Sequence, residues 1–412
     1  MTNDPRTDWA ANDLLRERLR ECAELYRWRP ENIFRWWWRP CRVNVLLLTD
    51  GGLDFGPGDF GLSTFVTVLR NDGRSYAAFD ITIAHRSGFV GDPGVPVTAS
   101  IPNFRFTNPA HFADGKFDQV WFFGIETTNN GLSDAELAIV GAFMNQGGGV
   151  FATGDHGALG NALCSRITRV RSMRRWDNTS NEVGMTDTRR NDTNWRGHDA
   201  GSQFDDQSDD VPQTIQPKLY SSPVTAFWKE TYPHPLLCSP LGRIQVLPDH
   251  PHEGECILPT DLGQTYIDGT PEYPGGIAPE VIAHSSVPAG NDAGGSKQGA
   301  QAHSFGAISA YDGHRPEAGV GRVVCDATWH HFVNVNLVGE LVDFERNRNT
   351  TEDPSKLHGF LSSGGLAALR ADQALLRQHR RVAVSAGQPP LLPFAHPLAV
   401  VVPSPRPRSH DG

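Results

Sequence analysis

Val43-Asn44-Val45-Leu46-Leu47-Leu48-Thr49-Asp50 is a near-continuous apolar run closed by an acidic residue and by Gly51-Gly52. A strand half exposed to water would alternate apolar and polar residues. A run without alternation calls for a strand covered on both faces, as in a parallel sheet sandwiched by helices.

Working outward from it, a Gly-rich loop leads to a short helical pattern over Ser63 to Arg70. Phe79 to His85 then reads as a second strand, completing a βαβ unit. Asp118 to Gly124 is a third buried strand, with Glu126 just past its end. Ser133 and Glu136 form the S-x-x-E pattern of a helix start, Leu137, Val140 and Met144 share one face, and Gly147 to Gly149 ends the helix. Val150 to Thr153 is the fourth strand. It runs into a turn that opens a helix expected over Ala158 to Arg171.

From about residue 176 to 301 the pattern dissolves into Gly, Pro, Asn and Asp with short apolar runs, which reads as a long irregular insertion. Ala302 to Ala310 and Gly321 to Thr328 read as later strands of the same sheet, and Asn334 to Phe344 as a helix. The expected fold is therefore a doubly wound, flavodoxin-like parallel α/β domain over 41–345. Residues 1–40 hold a helix (Asp13 to Arg27) and Trp36-Trp37-Trp38, expected to pack on the domain. A helical extension over 346–388 (Ala367 to Arg381) and a Pro-rich, disordered tail over 389–412 follow.

The formal charge of −10 opposes non-specific wrapping of nucleic acid or anionic membrane. No run reaches the roughly 18 to 20 apolar residues of a membrane span, and the Arg-rich start lacks a signal-peptide core. The six cysteines are scattered without a C-x-x-C pair. These features point to a cytoplasmic protein with a small-molecule substrate and with neither nucleic acid nor membrane as partner; they leave the oligomeric state open.

In an open parallel sheet, ligands bind beyond the carboxyl ends of the strands, where helix N-termini and unpaired backbone donors converge. The residues there are Asp50 and Asp54, Glu126, Asp155 and His156, and His330 and His331. The sharpest local feature is Gly149-Val150-Phe151-Ala152-Thr153-Gly154-Asp155-His156-Gly157. Small residues flank Asp155 as they flank the nucleophile of a strand-turn-helix elbow.

The order of elements, the Gly-Gly-Gly strand entry and the elbow at Asp155 resemble the class I glutamine amidotransferase-like superfamily, and within it the trehalose-utilisation (ThuA-like) proteins. The resemblance covers roughly Val43 to Gly160 and Ala302 to Leu337. In that superfamily the elbow carries cysteine, and a late Phe-His-Pro-Glu supplies histidine and glutamate. Here Asp155 stands at the first place and Trp329-His330-His331-Phe332 at the second. A carboxylate does not form the thioester that amide hydrolysis by a Cys-His pair requires, so glutaminase activity is not expected.

Three uses of the cluster stay open. Asp155 would serve as nucleophile or general base with His330 as proton shuttle, on an ester, lactone or glycoside, with Glu126 as a further catalytic candidate. Alternatively His156, His250, His252, Glu253 and His331 would hold a divalent metal such as zinc, because an extended H-x-H turns both imidazoles to one face. The third use is structural, with histidines and carboxylates hydrogen-bonding loops together, as several of the 16 histidines must. A small-molecule hydrolase or carbohydrate-processing enzyme is the preferred expectation. A non-catalytic ligand-binding or scaffold protein of the same fold is the alternative.

Other features weigh less. Gly51 to Gly58 is Gly-rich but matches neither common nucleotide-loop spacing, so no nucleotide cofactor is expected. Arg166, Arg169, Arg171, Arg174 and Arg175 read as a solvated face pairing with the acidic stretch Asp205 to Asp210. Cys164 reads as buried packing rather than a displaced nucleophile.

Overall fold

Leu46 and Leu48 of the opening run face one apolar core while Val43, Val45 and Leu47 face another, because successive side chains of a strand point to opposite faces. A computed structural model describes residues 41–58, 60–71, 77–155, 158–176, 213–225, 228–239, 242–247, 254–287 and 302–338. The expected N-terminal helix, the Trp36 to Trp38 segment, the 346–388 extension and the 389–412 tail lie outside these residues.

The elements run β1 (Cys41–Thr49), α1 (Ser63–Asn71), β2 (Ala77–His85), β3 (Ala99–Ile101), β4 (Gln119–Phe123), α2 (Asp134–Asn145) and β5 (Gly149–Thr153). Next come α3 (Asn161–Cys164), α4 (Val170–Met173), β6 (Gln213–Pro217), β7 (Leu219–Thr225), β8 (Trp228–Pro233), β9 (Cys238–Ser239), β10 (Gly242–Arg243) and β11 (Val246–Leu247). The series ends with β12 (Glu280–Val287), β13 (His303–Tyr311), β14 (Val323–Asp326) and α5 (Asn334–Val338). Ten strands form one mixed, mostly parallel sheet in the order β11-β6-β12-β13-β14-β5-β4-β1-β2-β3. The stretch from β14 to β3 is parallel throughout.

Both faces are covered. Phe65, Val66 and Leu69 of α1 lie with Trp121, Phe123 and Phe151 in one core, and Leu137, Val140 and Met144 of α2 lie with Val120, Phe122 and Ala152 in the other. The helix start at Ser133 forms as its sequence predicts. Ser133 Oγ accepts from the Glu136 backbone N–H, and the Glu136 carboxylate accepts from that of Ser133. Glu136 also carries a buried, two-pronged ion pair to Arg86, whose Nη1 and Nη2 lie 2.6 and 3.0 Å from its two oxygens.

Three expectations need correction. First, the sheet is not parallel throughout: β13 runs antiparallel to β14. The 312–322 connection contains no helix, and so short a link makes a hairpin turn rather than the crossover that parallel strands need. Second, the insertion is less irregular than its composition implies. Its strands β6, β11 and β12 extend the main sheet past β13, and β7 and β8 form a separate hairpin. β6 is short and alternates buried with exposed residues, so it lacks the continuous apolar run that marks the central strands.

Third, the helix expected over Ala158 to Arg171 is two four-residue helices. The break falls at Arg169, which adopts a left-handed φ of 66°. Arg169 is fully buried there: its backbone N–H donates to Glu272 Oε1, and its side chain donates to the Glu272 carbonyl and Asn145 Oδ1. Engaging Nε and Nη2 of this buried guanidinium outweighs one more helical turn, although Nη1 is left without a hydrogen bond. The rest of the run has partners among the described residues, while Asp205 to Asp210, the partners expected from the sequence, lie outside them. Arg166 pairs with Asp134, Arg171 with Glu272 and Arg175 with Glu255, and Arg174 is buried.

Candidate functional site

The chain leaves β1 toward β2 on one side and β4 joins on the other, so the sheet reverses strand order between β1 and β4. The carboxyl ends of β1, β4, β5 and β14 stand in register here, with Thr49 opposite Phe123, Phe123 opposite Thr153, and Thr153 opposite Asp326. Each strand delivers its next residues to this edge.

The turn after β5 is made by close backbone packing. A Cβ on Gly154 would stand 2.5 Å from the Leu159 carbonyl, and Gly160, at φ 92°, lies against Gly154 and Gly124. Only glycine fits such approaches. The turn closes through the Asp155 N–H on the Leu159 carbonyl at 3.1 Å, leaving the Asp155 side chain directed at the end of β14.

Beyond β14, Thr328 caps a single 3-10 turn, Trp329–His331. Its hydroxyl accepts from the His330 N–H at 3.0 Å and donates to Asp155 Oδ1 at 2.7 Å. His330 Nε2 lies 3.1 Å from Asp155 Oδ2, and the Trp329 N–H donates to the Gly154 carbonyl at 2.8 Å. Asn336, in α5, holds the far side of the imidazole: its Nδ2 donates to the His330 carbonyl at 2.8 Å and sits 3.2 Å from Nδ1. An amide N–H facing Nδ1 makes that nitrogen an acceptor. The proton of neutral His330 then sits on Nε2 and is donated to Asp155.

Packing fixes this arrangement. The Trp329 indole stacks on His330 at 4.3 Å between ring centres, and Phe332 is wedged among Phe65, Phe123 and Phe151 at 5.3 to 5.6 Å. Arg174 lies behind, fully buried. Its guanidinium donates to the carbonyls of Asp155, Asp326 and Ala327 and lies over the Trp176 ring. Burial draws its pKa down. Asp155 is 1% exposed and His330 is not exposed at all.

The other sequence candidates lie elsewhere. His331, adjacent to His330, turns to different partners, with Nδ1 2.8 Å from Asp326 Oδ1 and Nε2 3.2 Å from Gln213 Oε1. Both ring nitrogens being engaged, a metal at His331 would have to displace one of them. His156, His250, His252 and Glu253 lie outside the described residues, and no group of three or more His, Cys, Asp or Glu side chains among the described residues is placed to hold a metal ion. Glu126 is half-buried at the end of β4. Its backbone is fixed by Asp50 and Ala162, and its carboxylate makes no hydrogen bond to Asp155 or His330. The 51–58 loop closes on itself through Asp54 and on Asn334, whose amide donates to the carbonyls of Gly56 and Gly58. Cys164 is buried as expected, and burial pushes its thiol pKa well up.

Asp50, at the end of β1, is more unusual than its sequence context conveys. Its Oδ1 accepts from the N–H groups of Ile125 and Glu126 at 2.6 and 3.2 Å, while its buried Oδ2 has no partner. Burial raises its pKa to about 6. Thr328, Asn336 and Arg174 were not expected as site residues. Thr328 and Asn336 flank His330 closely in sequence, the only local signal they offered; Arg174 carried none.

Compared with known protein families and with curated proteins, the chain matches no family model and no curated sequence.

Proposed function

We propose that the protein is a small-molecule hydrolase on a flavodoxin-like, doubly wound, amidotransferase-like fold, with Asp155 in place of the nucleophilic cysteine. The observation that carries this reading is the 3.1 Å contact of Asp155 with His330, two residues from adjacent strands that the resemblance pairs as nucleophile and histidine. The strand order β2-β1-β4-β5-β14 and the helices on both faces support the fold assignment. No helix among the described residues is long and apolar enough to cross a membrane.

In this reading the Asp155-His330 pair acts on an ester, lactone or glycosidic carbon. Water adds as the pair takes its proton, one C–O bond breaks, and the proton returns to the leaving oxygen. Substrate has to displace the Thr328 hydroxyl or the His330 N–H from Asp155, since these occupy both carboxylate oxygens. Assistance by a divalent metal such as zinc, held by His156, His250, His252, Glu253 and, on release from Asp326 or Gln213, His331, belongs to the same proposal. Metal content before and after chelation tests it.

A second reading has its own support. Complete burial and complete pairing of Asp155 suit a latch that joins β5 to β14 in a ligand-binding or scaffold protein without chemistry. A screen of esters, lactones and glycosides separates the two. Turnover lost in both Asp155→Asn and His330→Gln supports the hydrolase. Absence of turnover across all three classes, or full activity in Asp155→Asn, overturns it.

A further inference from the structure

A cavity lies at the edge of the sheet opposite Asp155. Because β13 runs antiparallel to β14, its end and the start of β12 stand beside the amino ends of the parallel strands, with Glu280 opposite Ala310 and Tyr311 opposite Val323. The β7–β8 hairpin closes over this edge. Tyr220, Tyr232, His234, Glu280, Asp312 and Arg315 line the cavity, whose volume is about 160 Å³. Pockets for drug-sized ligands begin at roughly 300 Å³, so this one admits only a small molecule.

The lining sorts by charge. Tyr220 and Tyr232 are directly opposite on the hairpin and stack at 6.1 Å, giving an aromatic wall. Glu280 takes the Tyr220 hydroxyl and Lys218 on one oxygen, Oε2, and the other oxygen has no such partner. Burial works against its ionisation, but these two donors prevail and hold its pKa below the usual range. On the other side, Arg315 touches Asp312 through Nε at 3.7 Å, and Arg322 holds the second Asp312 oxygen at 2.8 Å. The terminal nitrogens of Arg315, which lines the cavity, make no ion pair among the described residues. His234 accepts from the Leu236 N–H through Nδ1, which leaves Nε2 as the donor, and burial lowers its pKa to about 4.

An available carboxylate oxygen beside aromatic faces suits an ammonium group, and an available guanidinium suits a carboxylate. The lining sets Glu280 and Asp312 against Arg315, with Lys218 and Arg322 held on the two carboxylates from outside it, so a ligand meets both signs of charge. We propose that this cavity binds a free α-amino acid with an apolar side chain, its ammonium at Glu280, its carboxylate at Arg315 and its side chain on the tyrosine wall. The site is independent of the hydrolase reading and lies at the far edge of the sheet from Asp155.

The test is calorimetric titration of the full chain with L-leucine and L-phenylalanine. Isoamylamine serves as the ammonium-only probe, isocaproate as the carboxylate-only probe and glucose as a neutral one. At least one amino acid is expected to bind, at least tenfold more tightly than either half-analogue, which is about 1.4 kcal/mol. Arg315→Ala, an exposed change that leaves folding intact, should weaken amino-acid binding at least tenfold and leave isoamylamine unaffected. Glu280→Gln should weaken the amino acid and isoamylamine alike, and Asp155→Asn should change nothing. No amino-acid binding up to about 10 mM, equal binding by a half-analogue, or preference for glucose overturns the proposal.

Discussion

His330 Nε2 lies 3.1 Å from Asp155 Oδ2, and neither side chain reaches solvent. A carboxylate and an imidazole so placed depend on each other. Removing one leaves the other buried without its partner, and Thr328 shares the loss because its hydroxyl donates to the same carboxylate.

Asp155→Ala is therefore expected to destabilise the fold by about 2 to 4 kcal/mol, from two buried donors left unmatched. Asp155→Asn, which keeps an oxygen for Thr328, should cost clearly less. Urea denaturation of both variants checks the order, and a loss in Asp155→Ala no larger than in a surface substitution would show that the pair is not coupled to the fold.

Asp50 gives a pH-dependent prediction. Its folded pKa of about 6 exceeds the ordinary 3.8, so the folded state favours the protonated form. Its contribution is fully present below the unfolded value and is lost as pH rises through about 6. Asp50→Asn keeps the oxygen that accepts from Ile125 and Glu126 and carries no charge. It should match the wild type in acid and exceed it by up to about 3 kcal/mol above pH 6. Denaturation midpoints measured across this range read the difference, and parallel curves would refute it.

The buried pair of Arg86 and Glu136 should behave asymmetrically. Arg86→Met strands a carboxylate that also caps α2, and is expected to cost about 3 to 5 kcal/mol. Combining it with Glu136→Leu should recover much of the loss by removing the stranded charge, less the cap. A double-mutant cycle by thermal unfolding measures the coupling.

Gly160→Ala tests the elbow. At φ 92°, with a Cβ 2.8 Å from the Gly154 Cα, the substitution has to shift the turn that positions Asp155. We expect a loss of roughly 1 to 3 kcal/mol and altered chemical shifts for His330. Unchanged shifts would place the strain elsewhere.

Much of the frame was legible locally. The apolar runs of β1, β4 and β5 had to be covered on both faces, and Ser133 with Glu136 marked the start of α2 to within a residue. The arginines of 166–175 were misleading for a physical reason. Their spacing resembles a solvated helix face, yet Arg169 and Arg174 sit among backbone carbonyls that only the folded chain collects. β6 and β12 were hidden because antiparallel strands with one wet face alternate buried with exposed residues and need no continuous apolar run.

By itself the sequence determined that a doubly covered sheet exists and that polar residues stand at its strand ends, because period and capping are properties of neighbouring residues. It also presented Asp155 on a tight glycine turn. Only the tertiary structure decided that Asp155 meets His330, 175 positions away, that His331 turns to Asp326 and Gln213 instead, and that Asp50 keeps a buried oxygen without a partner. Those outcomes depend on register across strands and on what burial leaves unsatisfied, and no local pattern encodes either.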